Sequence, residues 1–299
     1  MNILVSICTY KRNFLLKKCI QSIDNAFKPT NFKISILIID NTLNSHAKNL
    51  IKSLKKKISL KVYYINERKR GVVHARNKAL YECKKIYTDY ICFFDDDCTI
   101  DKYWFRNAKK LINKYPIITG PQIYKKNNIY GENFSSMFEK KYNKDSCLVN
   151  WAATNNVIFK YNIIKHKNLI FDYNLNNFSM GEDQLFFSKL RKLGNNIIWS
   201  KNLKVYENYH LTRSKPKAII FRSFKLGILG HYIDKKIYGS FIGLMISYFK
   251  SIFFFILALL ELIKFYKKNN FFYSYFYFVR FCGKILGPKL FKQSKFYIK

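Results

Sequence analysis

The residues Tyr90-Ile91-Cys92-Phe93-Phe94 run directly into Asp95-Asp96-Asp97, and no other stretch restricts the fold as much. The apolar run is short, rich in aromatics and without polar alternation, the pattern of a strand covered on both faces in a parallel sheet. The carboxylates begin where the strand ends. In an open α/β sheet, the crevice beyond the carboxyl ends of the strands is where ligands bind. Three adjacent acids repel one another there, so a cation would relieve the cluster, and carboxylate oxygen suits a hard ion such as Mg2+ or Mn2+. A solvated acidic turn would carry the same residues, so the cluster alone leaves both readings open.

The strand-then-polar pattern recurs upstream. Ile3 to Cys8 ends in Thr9-Tyr10-Lys11-Arg12 before a helical pattern from Asn13, and Ile34 to Ile39 ends at Asp40 before a helix near His46 to Lys57. Leu60 to Ile65 is a third strand. A basic loop with Gly71 then leads into a helix, where Arg70 and Arg76 serve either an anion or the solvent. After the central strand a helix runs from Asp101 to about Asn113. Strands alternating with helices predict a mostly parallel, doubly wound α/β sheet. Asp40, the Asp95–Asp97 cluster and the loop after Cys8 then share one edge.

Beyond Pro116 the pattern loosens. Ile117 to Thr119 reads as a strand before Gly120-Pro121, and residues 122–150 read as irregular. The segment Ala152 to Asn156 offers small polar residues ahead of a strand, a backbone able to approach a ligand. Phe171 to Ser179 reads as a loop. Gly181 then opens a helix whose first turn carries Glu182 and Asp183, at the least ordinary partners of the helix dipole. Strands at Ile197–Trp199 and Leu203–Tyr206 precede Glu207, His210 and Arg213. A lone His is more often a satisfied core or surface residue, but His210 beside Arg213 is a candidate for a phosphate or a metal.

Some chemistries lose support. No Gly-x-Gly-x-x-Gly follows the first strand and no Walker-type loop occurs, which removes the standard dinucleotide and NTPase readings. The seven cysteines are odd in number and lack Cys-x-x-Cys spacing, which argues for reduced thiols in the cytoplasm. The N-terminus enters a strand with no signal peptide.

Taken together, Val5-Ser6-Ile7-Cys8-Thr9-Tyr10-Lys11-Arg12, Ile39-Asp40-Asn41, Arg70-Gly71 with Ala75-Arg76-Asn77, Phe94-Asp95-Asp96-Asp97 and Gly181-Glu182-Asp183 resemble the family 2 glycosyltransferases over about residues 3–230. Thr119-Gly120-Pro121, Glu182 to Phe187, and Val205-Tyr206-Glu207 followed by Arg213 resemble the bacterial exopolysaccharide branch typified by succinoglycan glucosyltransferases. The resemblance implies a GT-A fold with a Rossmann-like sheet, a nucleotide-diphosphate sugar donor (a UDP-sugar first), Mg2+ or Mn2+, and inversion at the anomeric carbon. It places Thr9 and Arg12 against the nucleotide and diphosphate, gives Asp40 hydrogen bonds from the base, and brings Arg76 to the nucleotide. Asp95 and Asp97 match the Asp-x-Asp pattern, with Asp96 at the ribose or donor sugar and Asp97 at the metal. Asp183 matches the general base, and Glu182 and Arg213 fall in the acceptor or diphosphate region. The Gln-x-x-Arg-Trp motif of processive synthases is absent, which favours transfer of a single sugar.

The expected organisation is a catalytic domain over 1–213, with a nucleotide-binding half to about 120 and an acceptor-binding half from about 121, then a helical membrane-associating region over 214–299. Residues 201–299 hold 19 basic and 3 acidic side chains within a chain of net charge +36. Ser240 to Ile263 is nearly all apolar and long enough to cross a bilayer, but Lys250 interrupts it. Residues 271–282 are aromatic and too short to cross. These features predict attachment to an anionic membrane surface on the cytoplasmic face, with an apolar helix packed on the catalytic domain as the alternative. The acceptor expected is a growing, lipid-linked glycan. A polyprenyl-phosphate sugar synthase is the second possibility and a basic nucleic-acid-binding protein a third; acidic clusters at strand ends oppose specific nucleic-acid binding.

Overall fold

The computed structural model describes residues 1–125, 145–165, 169–178, 180–208, 215–264 and 270–293. The chain forms two compact units, a sheet unit within Met1–Lys125 and Phe138–Asn208 and a helical unit whose described residues fall within Tyr209–Lys299. The expected boundary at 213/214 touches residues 209–214, outside the described residues.

The sheet unit opens with β1 (Asn2–Thr9), α1 (Asn13–Asp24), β2 (Lys33–Asp40), α2 (Lys48–Leu54), β3 (Lys61–Asn66), α3 (Val72–Cys83) and β4 (Tyr90–Asp95). It continues through β5 (Cys98–Ile100), α4 (Trp104–Ile112), β6 (Ile117–Thr119), β7 (Gln122–Lys125), β8 (Cys147–Val149), β9 (Asn156–Lys160) and α5 (Asn162–Lys165). A 3-10 turn (Tyr173–Phe178), α6 (Glu182–Lys192), β10 (Ile197–Trp199) and β11 (Val205–Asn208) complete it.

Eight strands form the main sheet in the order β3-β2-β1-β4-β9-β6-β10-β8, and β5-β11-β7 form a second, small sheet. The first four strands are parallel, as the alternation of strands and helices predicts. Past β4 the sheet is mixed, because β9 inserts antiparallel between β4 and β6. Alternate residues of the central strands supply two cores: Ile3, Val5, Ile7, Cys92 and Phe94 face α1, α2 and α4, while Leu4, Ile91 and Phe93 face α3 and α6. Both faces of β4 are thus covered, which accounts for its unbroken apolar run.

Local hydrogen bonding sets the helix starts. The helix expected from His46 begins at Lys48, because Thr42 Oγ1 accepts from the His46 amide (2.9 Å) and Asp40 Oδ2 from the Ala47 amide (2.7 Å), holding both residues in the preceding loop. Asp101 likewise accepts from the Tyr103 amide at 2.8 Å, and α4 starts only at Trp104. Asn156, read from the sequence as backbone near a ligand, is a buried tie: its amide group meets Trp104 Nε1, Pro121 O and Leu203 O.

The helical unit consists of α7 (Pro216–Tyr238), α8 (Ser240–Ile263) and α9 (Asn270–Gln293). The aromatic stretch 271–282 is part of this 24-residue α9 and not a short segment of its own.

Candidate active site

Parallel register brings three strand ends to one edge, with Thr9 opposite Asp40 and Cys8 opposite Asp95. Asp95, at the end of β4, is half-buried, while Asp96 and Asp97 in the turn that follows are buried. Thr9 Oγ1 donates to Asp96 Oδ2 at 2.7 Å. Arg12 Nη1, in the loop between β1 and α1, donates to Asp96 Oδ1 at 3.1 Å and Asp97 Oδ2 at 2.9 Å. The first loop is therefore fastened to the acidic turn by a hydroxyl and a guanidinium. Burial pushes the Asp96 carboxyl up to about 6, against the pull of Arg12 and Thr9. Burial also works against the charge on Arg12, but Asp96 and Asp97 outweigh it and raise its pKa.

A second cation fastens the other side. Arg76, on α3 and 6% exposed, donates to Glu182 through Nη1 and approaches Asp95 Oδ1 with Nη2 at 3.4 Å. Burial disfavours its charge, yet Glu182, Asp95 and Asp183 together hold the guanidinium above its usual pKa. Burial raises Glu182 above the ordinary carboxylate range; Arg76 pulls it down and Asp183 pushes it up. Among the described residues, Glu182 Oε2 has no hydrogen-bond donor. Neighbouring Asn77 pins the same face: its side chain donates to Phe171 O (2.9 Å) and accepts from Phe171 N (2.8 Å).

Glu182 and Asp183 form the first turn of α6, which Gly181 introduces at φ +84°, a left-handed conformation costly for any residue with a Cβ. Asp183 Oδ1 accepts from the Gln184 amide at 2.7 Å, which orders the carboxylate at the helix start. A continuous line of contacts thus runs from Asp97 and Asp96 through Asp95 and Arg76 to the turn that carries Asp183.

Asp40 stands apart from this line. It is fully buried, and its oxygens accept from Thr42 Oγ1 (2.8 Å), Ala47 N and Tyr64 OH (both 2.7 Å). These three partners make Asp40 an organiser of the loop after β2. Next to it, Asn41 ties the loop to the basic segment through Glu67 O, Lys69 O and the Gly71 amide. His210 and Arg213 lie outside the described residues.

One residue escaped the sequence reading of the site. Glu207 on β11 pairs with Cys98 across the small sheet, and ligand atoms of Asp97, Cys98 and Glu207 lie within 4.8 Å of one another, all buried. Burial, with Glu207, Asp95 and Asp97 close by, drives the Cys98 thiol well above its usual pKa, and two of the three candidate donors are carboxylates. Such a set fits a hard divalent cation. Glu207 stands in a motif already visible in the sequence, but only the antiparallel β5–β11 pairing joins it to Asp97.

The model of the family "Glycosyl transferase family 2" matches residues 4–196, nearly two thirds of the chain, and takes in Thr9, Arg12, Arg76, the Asp95–Asp97 cluster, Glu182 and Asp183 but not Glu207. The chain belongs to this family. No curated protein matches the glycosyltransferase by sequence. Among solved structures it is similar to S. aureus TarS 1-349 in complex with UDP, with 15% identity over 98% of this chain and 92% of that one at TM-score 0.55. It is also similar to the mannosyltransferase PcManGT from Pyrobaculum calidifontis in complex with GDP-Man and Mn2+, with 14% identity over 96% and 86% of the two chains at TM-score 0.62. GalNAc-T7 with UDP, GalNAc and Mn2+ is similar over 80% of this chain and 50% of that one, with 13% identity and TM-score 0.57. These likenesses show the expected fold, GT-A.

Proposed function

We propose that the glycosyltransferase moves one sugar from a nucleotide-diphosphate donor, a UDP-sugar first, to a hydroxyl of a lipid-linked surface glycan, with inversion at the anomeric carbon. The observation that carries this reading is the gathering of two arginines and five carboxylates, Asp95, Asp96, Asp97, Glu182 and Asp183, at one sheet edge.

Asp183 takes the proton of the acceptor hydroxyl on the face opposite the leaving group. The oxygen then attacks the anomeric carbon while the bond to the diphosphate breaks. Arg76, kept charged by its acids, faces the negative charge that grows on the departing diphosphate. Thr9 and Arg12 hold the nucleotide side, Asp96 meets the ribose or donor sugar, and Asp40 orders the loop beside them. Asp97 and Glu207, with Asp95, would hold Mg2+ or Mn2+, which when bound supplies further positive charge to the leaving group. Glu182 acts as a positioning residue, setting Arg76 and the first turn of α6. Transfer takes place at an anionic membrane surface on the cytoplasmic side, and the exopolysaccharide-type motifs make a cell-surface polysaccharide the product class.

The test is a screen of nucleotide sugars for hydrolysis and transfer with Mn2+ or Mg2+, with a chelator as control. Turnover of at least one donor, lost on chelation and restored by the ion, is the expected outcome. Failure of every donor to bind or turn over would remove this reading, and a sugar-phosphate product would replace the hydroxyl acceptor with a lipid phosphate.

A further inference from the structure

The helical unit buries what a water-soluble bundle exposes. α8 turns Gly243, Ser247, Ser251 and Ala258 inward, while Phe241, Phe249, Ile252, Phe253, Ile256 and Leu260 face outward. Only 22% of its most apolar 18-residue stretch is buried, whereas the core helix of a soluble protein would be mostly buried. Polar groups link the three helices. Buried Asp234 of α7 accepts from buried Lys284 of α9 at 2.9 Å and, at the rim, from Lys250 of α8 at 2.5 Å, whose side chain is half exposed; Lys284 also donates to Ser247 Oγ at 3.1 Å. Ser223 donates to Phe276 O and Ser274 to Ala258 O, tying α9 to both neighbours.

The backbones also approach as they do in lipid. A Cβ on Gly283 would lie 2.4 Å from Phe224 O, and one on Gly227 would lie 2.5 Å from Arg280 O. Gly287 follows Gly283 at the four-residue spacing of close helix crossings in membranes. Exposed lysines bracket the apolar helix: Lys235 and Lys236 stand just before α8 and Lys264 just after it, the arrangement of cations at headgroup level around a hydrocarbon-facing segment.

We propose that α8 rests with its outward face in the hydrocarbon of an anionic bilayer, as part of a three-helix anchor that keeps Asp234, Lys284 and Ser247 inside. Asp234 is the counter-ion that makes Lys250 tolerable there, because a carboxylate neutralises the cation that otherwise interrupts the apolar run. This rests on, and deepens, the membrane attachment in the proposed function; it requires nothing of the catalytic assignment.

The full chain is floated with vesicles of phosphatidylethanolamine and phosphatidylglycerol, at low salt and at about 1 M NaCl, where charges are screened beyond about 3 Å. The protein is expected to float under both conditions. In Phe253→Trp, the added emission is expected to shift to the blue and to be quenched by lipids labelled at mid-chain. Phe253→Asp, at a position 58% exposed, is expected to lower vesicle partitioning about a hundredfold. Flotation only at low salt, with no quenching in Phe253→Trp, would keep the membrane surface and overturn immersion. Absence of flotation would overturn both, whether α8 proves to be covered by a second copy in sedimentation or by a soluble partner. Transfer to a water-soluble acceptor, assayed separately, distinguishes failure of the anchor from failure of the enzyme reading.

Discussion

The two units of this glycosyltransferase bury opposite things. In the sheet unit apolar strands fill two cores and the titratable groups collect at the strand ends. In the helical unit Asp234, Lys284 and several Ser lie inside, while Phe, Ile and Leu face out. The first pattern belongs to a protein that folds by withdrawing oil from water, and the second is the one expected of helices held together by polar contacts in hydrocarbon, the setting proposed for this unit. On that proposal, burial reports the medium each region is built for.

The largest expected effect bears on the sheet edge. Asp183→Asn should lower turnover by about 10²–10⁴ while calorimetric UDP affinity stays within about twofold, as loss of a general base requires. Parallel loss of turnover and affinity would make Asp183 part of the donor site and erase the division between base and nucleotide groups.

Next come two buried ion pairs, one from each unit. Arg76→Ala strands Glu182 without its partner and should cost about 3–5 kcal/mol in chemical denaturation, with Glu182→Gln restoring most of the loss in the double variant. Asp234→Asn strands Lys284 in the same way and should lower the thermal midpoint of helicity in vesicles. If only the first variant proved destabilised, the helical unit would be tolerating naked charge and its inward polarity would have another cause.

Smaller effects sharpen the same contrast. The folded Glu182 carboxyl holds its proton more firmly than an unfolded one, so ionising it works against the fold. Stability should fall as pH rises from the ordinary carboxylate range toward neutrality, with a slope of at most about 1.4 kcal/mol per pH unit. Denaturation midpoints across that window should flatten in Glu182→Gln. Smallest of all, Lys264→Ala removes an exposed partner of Glu261 and should change stability by less than about 0.5 kcal/mol, a value that thermal unfolding in vesicles can bound.

Much of this was legible in the residues. The four apolar runs that become β1 to β4 carry their own pattern, and parallel pairing follows from the helices between them. The direction of β9 was not legible, since Val157-Ile158-Phe159 reads the same in either sense and only the neighbours β4 and β6 decide it. At the site, Thr9, Arg12 and the acids were visible because they punctuate strand and helix ends, and Arg76 because it stands in the family-like run after Gly71. The burial of Asp40 was not, because it depends on Thr42, Ala47 and Tyr64 closing around it. Asn77 stood in plain view, but its partner, the backbone of Phe171, is far along the chain. α9 was foreshortened because its run of aromatics stops at Phe281, while the helix continues through Gly283, Gly287 and Pro288, residues that usually weaken or interrupt one, to Gln293.

The guanidinium of Arg76 joins the tip of a strand to the opening turn of a distant helix. A chimera that borrows another enzyme's version of that helix, in pursuit of a new acceptor, must therefore import an acid able to receive Arg76. Without one, the graft would leave the guanidinium at the end of β4 stripped of its helix partner, far along the chain from the residues it replaced.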